Sequence, residues 1–214
     1  MEHINPKNKD ELELAVERAK DVLKRGGVVI YPTDTIYGIG VDATNSEAIE
    51  RVYTLKGRDK VEPLPVIFPD LKSAEEYAEL NELSLKIAKR MLPGPITLLL
   101  KKKDKLPSEL TLGSELLGIR IPDSYFCIAL AKSFSLPFTT TSANKSGMRA
   151  GNVDEILEQF KNNLELIDLV IDVGALDEKP PSTILDVSEN SVQVVREGEQ
   201  NLQALQLVTL EGED

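Results

Sequence analysis

Cysteine and histidine are almost missing from this 214-residue sequence, which holds one of each, Cys127 and His3. A lone cysteine excludes an intrachain disulfide and a thiolate metal cluster. A lone histidine, expected at a frayed amino terminus, excludes a Ser-His-Asp triad, a Cys-His dyad and a zinc site with two imidazoles. Positive charge is also scarce. Lys and Arg number 25 against 36 Asp and Glu, giving a formal net charge of −11 and a pI near 4.7. Proteins that coat nucleic acid with their whole surface are basic, so that class is excluded, although a local basic groove is not. No apolar run reaches membrane-spanning length, and the opening MEHINPKNKDE has no signal-type apolar stretch. A cytoplasmic location and no membrane partner are expected.

What remains is globular material. Apolar residues make up 41% and charged residues 29%, and the length suits one domain with a real core. No repeat, low-complexity tract or linker divides residues 1–214, which are read as a single unit. Asn8 and Glu11 have capping-box spacing, and Leu12, Ala15, Val16, Ala19, Val22 and Leu23 share one helical face before Gly26-Gly27. A buried strand is predicted at Val28 to Tyr31, and further strands at Pro65 to Phe68, Ile96 to Lys101, Leu117 to Ile121, Phe138 to Thr141, Leu169 to Val173, Thr183 to Val187 and Val192 to Val195. Further helices are predicted from Ser46 to Lys56, Ser73 to Leu80, Glu82 to Met91, Ser124 to Phe134 and Val153 to Phe160. The alternation predicts an α/β fold. Some links are too short for crossovers, so its sheet is mixed.

Three segments carry candidate chemistry. In Tyr31-Pro-Thr-Asp-Thr-Ile-Tyr-Gly-Ile-Gly40, Thr33 and Thr35 flank an acid directly after a buried strand, where ligands bind in α/β sheets. The plain alternative is a tight turn stabilised by Thr and Asp. Gly38-x-Gly40-x-x-Ala43 nearly matches the dinucleotide fingerprint, but its glycines precede the helix cap instead of opening the helix. In Thr139-Thr-Thr-Ser-Ala-Asn-Lys-Ser-Gly147 a strand runs into hydroxyls, an amide and a lysine, which is either an anion-binding loop or polar filler. Ser142 has no histidine to activate it, leaving only a Ser-Lys pair with Lys145.

The cations are placed beside strand and helix ends. Lys56 and Arg58 flank Gly57, where they either complement a helix C-terminus or bind an anion. Arg120 alternates with Ile119 and Ile121, and Arg196 follows Val-Gln-Val-Val. Each arginine reads as a structural ion pair or as a carboxylate or phosphate contact. Cys127 lies on an apolar helix as a buried, inert thiol. Lys101 to Lys103 form a solvated tip or touch an RNA phosphate.

Taken in order, YPTDTIYGIGVDA, LKGR, PLPV, LPGPITLLL, GIRIPD, TTSANKSG, PSTILDV and VVREG resemble the YrdC/TsaC family from about Val28 to Gly198. Lys56, Arg58, Ser142 and Asn144 supply the K-x-R…S-x-N tetrad that separates its stand-alone synthases from YciO-type paralogues. The resemblance implies a twisted mixed sheet with helices around a concave ligand-bearing face. It implies an enzyme joining L-threonine, bicarbonate and ATP into a carbamoyl adenylate with release of pyrophosphate. ATP is then a substrate carrying Mg²⁺ on its phosphates, with no direct protein ligand to metal. A downstream transferase complex would move the product group to an adenosine beside the tRNA anticodon, and the resemblance allows weak tRNA binding by the enzyme itself.

By the same resemblance Thr35, Arg120, Thr140 and Ser182 match threonine-holding positions, and Thr33 is grouped with them. Lys56, Arg58, Ser142, Asn144 and Arg196 match the nucleotide side, the tetrad being the catalytic set. Three positions depart from the family pattern: Glu62 replaces an Asn, Ile67 a His, and Ala150 a Ser. The other function classes are a non-catalytic RNA- or ribosome-binding module, and a carbamoyl-adenylate enzyme for another acceptor.

Overall fold

A computed structural model describes residues 1–57, 62–145, 148, 150–177 and 179–200. The described strands form two mixed sheets. One has the order β1-β9-β2-β3-β8, with β1 at Glu2–Ile4, β2 at Val29–Tyr31, β3 at Gly38–Gly40, β8 at Thr141–Ser142 and β9 at Leu169–Ile171. The other has the order β11-β10-β5-β6-β4-β7, with β4 at Val66–Ile67, β5 at Ile96–Lys101 and β6 at Leu116–Arg120. Its remaining strands are β7 at Phe138–Thr139, β10 at Thr183–Asp186 and β11 at Gln193–Arg196. The helices are α1 (Lys9–Lys24), α2 (Ser46–Lys56), α3 (Leu71–Ala74), α4 (Glu82–Met91), α5 (Ser108–Thr111), α6 (Tyr125–Phe134) and α7 (Val153–Gln159).

Short polar residues set the helix starts. Asn8, Asn45, Asp70, Asn81, Ser124 and Asn152 each accept a hydrogen bond from the backbone N–H three residues on. These satisfy amide groups that the first turn leaves unpaired. Glycine at C-terminal positions acts as expected: Gly57 ends α2 in the left-handed region at φ 60°. Helices α1 and α6 pack their apolar faces with Val29, Tyr31, Phe138, Leu169 and Ile171 in one core cluster. The larger cluster draws Ile30, Ile39 and Val170 from one sheet, Leu98, Ile119 and Leu185 from the other, and residues of α2, α4 and α7.

The single sheet expected from the strand pattern is thus divided in two, and the division falls inside one predicted strand. Phe138–Thr139 pairs with β4 in the six-stranded sheet, while Thr141–Ser142 pairs with β3 in the five-stranded sheet. Thr140 is the corner, and its N–H donates to the Pro65 carbonyl at 2.7 Å. Two other expectations change. The amino terminus is not frayed: Glu2–Ile4 runs parallel to β9, and His3 Nε2 lies 3.1 Å from Asp172 Oδ2. The helix expected from Ser73 to Leu80 is one turn, after which Ala78 bridges to Lys102.

The Gly38-Ile39-Gly40 stretch is a strand, antiparallel to β2 with Tyr31 opposite Gly38. Its glycines make room for a ring and have no phosphate-binding turn to serve. A Cβ at Gly40 would lie 2.7 Å from Tyr31 Cε1 and 2.9 Å from the Thr139 carbonyl oxygen. The Tyr31 hydroxyl in turn donates to that carbonyl at 3.0 Å. No helix among the described residues is long and apolar enough to cross a membrane.

Gly40→Ala should therefore overpack a rigid site and cost about 2 kcal/mol or more. Urea unfolding should show this as a lower midpoint with an unchanged slope.

Candidate active site

The sheet seam opens into a cavity of about 530 Å³. Strand alternation builds its floor. In β6, Leu116, Gly118 and Arg120 face the cavity while Leu117 and Ile119 are buried in the core. In β5, Thr97 and Leu99 face it while Ile96, Leu98 and Leu100 do not. Gly118 keeps the floor low, since a Cβ there would meet Pro65 Cβ and Thr97 Cγ2 at 3.3 Å. The walls come from Thr33, Thr35 and Tyr37, from Thr140 to Ser142, and from Ser182 and Arg196.

Arg120 is the buried charge of this cavity, at 6% exposure. One terminal nitrogen donates to Asp34 Oδ1 at 2.8 Å, and both side chains of the pair are 7% exposed. Its Nε is buried and has no hydrogen-bond partner among the described residues. Arg120 thus forms the structural ion pair that was one of its two sequence readings, and it also lines the cavity. A guanidinium that lines a cavity presents donors suited to a planar anion such as a carboxylate.

Hydroxyl side chains line the same cavity. Thr33 Oγ1 accepts from the Thr35 N–H at 3.1 Å and donates to the Ile36 carbonyl at 2.7 Å, which locks the turn. Thr33 and Thr35 Oγ1 atoms are 3.2 Å apart. Across the cavity, Ser182 Oγ lies 2.9 Å from Thr97 Oγ1, and both groups are buried. Arg196 donates through Nε and a terminal nitrogen to the Ser182 carbonyl at 3.2 and 2.8 Å. Burial draws the Arg196 guanidinium below its ordinary pKa; nearby Glu62 opposes that, and the like charge of Arg120 adds to it. Two arginines that repel each other at one cavity are arranged for an anion.

A second hollow of about 830 Å³ adjoins the first. Ile36, Tyr37, Ser142, Pro181 and Arg196 line both, and Asn144, Met148, Ala150, Asn152, Asp177 and Lys179 belong to the second. Three of the four tetrad residues, Lys56, Ser142 and Asn144, meet at the boundary. Lys56, 2% exposed, donates to the Ser142 carbonyl at 2.5 Å and to Thr141 Oγ1 at 3.1 Å, with Ser142 Oγ at 3.3 Å. Ser142 Oγ donates to Asn144 Oδ1, and Asn144 Nδ2 donates to the Met148 carbonyl. Lys56 therefore stands behind the Thr141–Ser142 strand and orders it. Arg58 lies outside the described residues.

The departures from the family pattern have distinct settings. Glu62 lines the first cavity and acts on Arg196, so an arginine offsets its charge. Ile67 is fully buried with Tyr31, Phe126 and Phe138, away from the cavity wall. Ala150 lines the second hollow. Thr97 and Tyr37 were not singled out from the sequence. Alternation along ITLLLK places Thr97 on the face opposite Ile96 and Leu98, and that was the available signal. Tyr37 is pinned by its hydroxyl, which donates to the Gly174 carbonyl at 2.7 Å and accepts from the Val173 N–H at 3.0 Å.

The solvated reading of Lys101 to Lys103 fits the contacts: Lys101 Nζ is 2.7 Å from Glu189 Oε1, and Lys103 Nζ donates to the Glu75 carbonyl. Among the described residues, no group of three or more His, Cys, Asp or Glu could hold a metal ion. Cys127 is fully buried, its Sγ 3.5 Å from the Pro32 carbonyl, and burial pushes the thiol up to about 12. In the native protein it should resist aromatic disulfide reagents at mildly alkaline pH and react fully in denaturant. Fast labelling of the native protein would contradict this placement.

Comparison with known proteins extends the geometry. A Sua5/YciO/YrdC family model, described as telomere recombination, matches residues 21–198. A Methanocaldococcus jannaschii protein, provisionally named threonylcarbamoyl-AMP synthase, is 38% identical over 192 residues, 89% of each chain. The Mus musculus threonylcarbamoyl-AMP synthase is 35% identical over 180 residues, 81% of this chain and 63% of its own. The crystal structure of P. abyssi Sua5 complexed with L-threonine matches with a TM-score of 0.87 at 28% identity, covering 97% of this chain and 60% of that one. The chain thus spans less than two thirds of the mouse and P. abyssi proteins.

Proposed function

The chain belongs to the Sua5/YciO/YrdC family, and from that premise we propose that it is a threonylcarbamoyl-AMP synthase. It would join L-threonine, bicarbonate and ATP into L-threonylcarbamoyladenylate and release pyrophosphate. The observation that carries this is Arg120: a buried guanidinium that lines, together with hydroxyl side chains, a cavity of about 530 Å³. An α-amino acid with a side-chain hydroxyl supplies the complementary groups.

In this proposal Arg120 takes the threonine carboxylate, and Thr33, Thr35, Thr140 and Ser182 take its hydroxyl and amine. Arg196, which lines both hollows, meets the phosphates where the two join. Lys56 fixes the Thr141–Ser142 strand so that Ser142 and Asn144 present donors to the nucleotide, with Arg58 completing the set. The reaction needs the threonine amine to become a carbamate and the carbamate oxygen to attack the α-phosphorus. Carbamate, carboxylate and triphosphate all carry negative charge, and preorganised cations lower their repulsion in the transition state. No side-chain nucleophile is required. Positioning and electrostatics supply the catalysis, which suits a chain whose one histidine is paired with Asp172.

Mg²⁺ enters in this proposal on the ATP phosphates, where it neutralises charge. The protein acts as one unit in the cytoplasm, handing its product to a transferase complex that modifies tRNA. Weak tRNA contact belongs to the same proposal. Purified protein given ATP, bicarbonate and L-threonine should release pyrophosphate and form the carbamoyl adenylate, read by mass spectrometry. Absence of both would overturn the assignment.

Arg120→Lys should lower kcat/KM for L-threonine by about tenfold to a hundredfold, because an ammonium lacks the planar fork of donors. L-Valine should be rejected by a factor on the order of 10⁴, since it leaves buried hydroxyls unpaired. Steady-state pyrophosphate release measures both, and equal turnover of valine would exclude hydroxyl recognition.

A further inference from the structure

Asp34 lies between two cavity-lining residues, Thr33 and Thr35, yet does not line the cavity itself. The locked turn at Thr33 sends it the other way, into the protein, where its side chain is 7% exposed. Both carboxylate oxygens are engaged there. Oδ1 accepts from the Arg120 guanidinium at 2.8 Å, and Oδ2 accepts from the Asp123 N–H at 3.1 Å. One carboxylate therefore ties the loop after β2 to the end of β6 and to the start of the β6–α6 connection.

The cost of this arrangement points to its use. Ion pairs this deeply buried lose solvation and seldom stabilise a fold on net. Here the pair is also incomplete, because Arg120 Nε stays unsatisfied. A carboxylate placed to satisfy the whole guanidinium would leave no donor for a ligand. Asp34 engages one terminal nitrogen, and Arg120 still lines the cavity. It also restrains a side chain that would otherwise turn its charge toward water through the cavity. A fork held this way has already paid its ordering entropy before a carboxylate arrives.

We propose that Asp34 is a positioning residue for substrate recognition: through Arg120 alone, it sets the guanidinium orientation that receives the amino-acid carboxylate. It does not touch the substrate. This rests on the proposed function, in which Arg120 binds the threonine carboxylate.

The test is a double-mutant cycle read by calorimetric binding of L-threonine and by separate KM values for L-threonine and ATP. Asp34→Ala should weaken L-threonine binding at least about tenfold and raise its KM to match, while the KM for ATP changes less than about twofold. Asp34→Asn, which keeps an acceptor oxygen for one of the two donors, should fall between Ala and the parent. Asp34→Ala with Arg120→Ala should bind L-threonine no worse than Arg120→Ala alone. That double variant also removes the unpaired buried charge and so guards against a fold defect, which circular dichroism would reveal. A merely structural role would weaken ATP and threonine together, and would weaken the Arg120→Ala background further. Additive losses, unchanged threonine binding in Asp34→Ala, or tighter binding in Asp34→Asn would each overturn the proposal. A parent protein that binds L-threonine in none of these assays would instead overturn the functional assignment.

Discussion

Five residues, Phe138 to Ser142, hold the two sheets together, and the site depends on that join. The first two complete the edge of one sheet and the last two the edge of the other. Thr140 turns between them with its N–H on the Pro65 carbonyl. A strand that changes sheets forces the sheets apart beyond the corner, and the gap that results is the cavity. It also delivers Thr140, Thr141 and Ser142 to that gap in sequence, without a long loop. The close passage of β3 beneath Tyr31, possible only with glycine at position 40, keeps the corner tight.

Charge is distributed against the average. The chain carries a net −11, yet Arg120 and Arg196 share one cavity and Lys56 stands behind its boundary strand. An acidic exterior discourages indiscriminate binding of nucleic acid, while low local dielectric strengthens the buried Arg120 and Lys56. The three have different duties. Arg120 is buried and anchored by Asp34, Arg196 bridges two hollows, and Lys56 is spent on backbone and hydroxyl oxygens. Cation count alone would have missed that division.

Much of this was legible in the sequence where one local rule decides the outcome. The N-cap of α1, the Gly57 stop, and the full extents of α4 and β5 follow from capping and periodicity. Arg120 alternating with buried Ile119 and Ile121 was readable from period two. What escaped was set at long range. β1 forms because β9 offers it an edge, and residues 138–142 bend because two different strands compete for them. The packing duty of the glycines at 38 and 40 escaped because nothing local reveals the Tyr31 ring above them. Thr97 escaped because its role depends on Ser182, 85 residues away.

The central claim is that the seam cavity receives L-threonine through Arg120. The most direct measurement is a crystal structure of this protein grown with L-threonine. The claim predicts density in the cavity of about 530 Å³, with the ligand carboxylate within hydrogen-bonding distance of the Arg120 guanidinium. Threonine found only in the neighbouring hollow, or seated with its carboxylate away from Arg120, would contradict it.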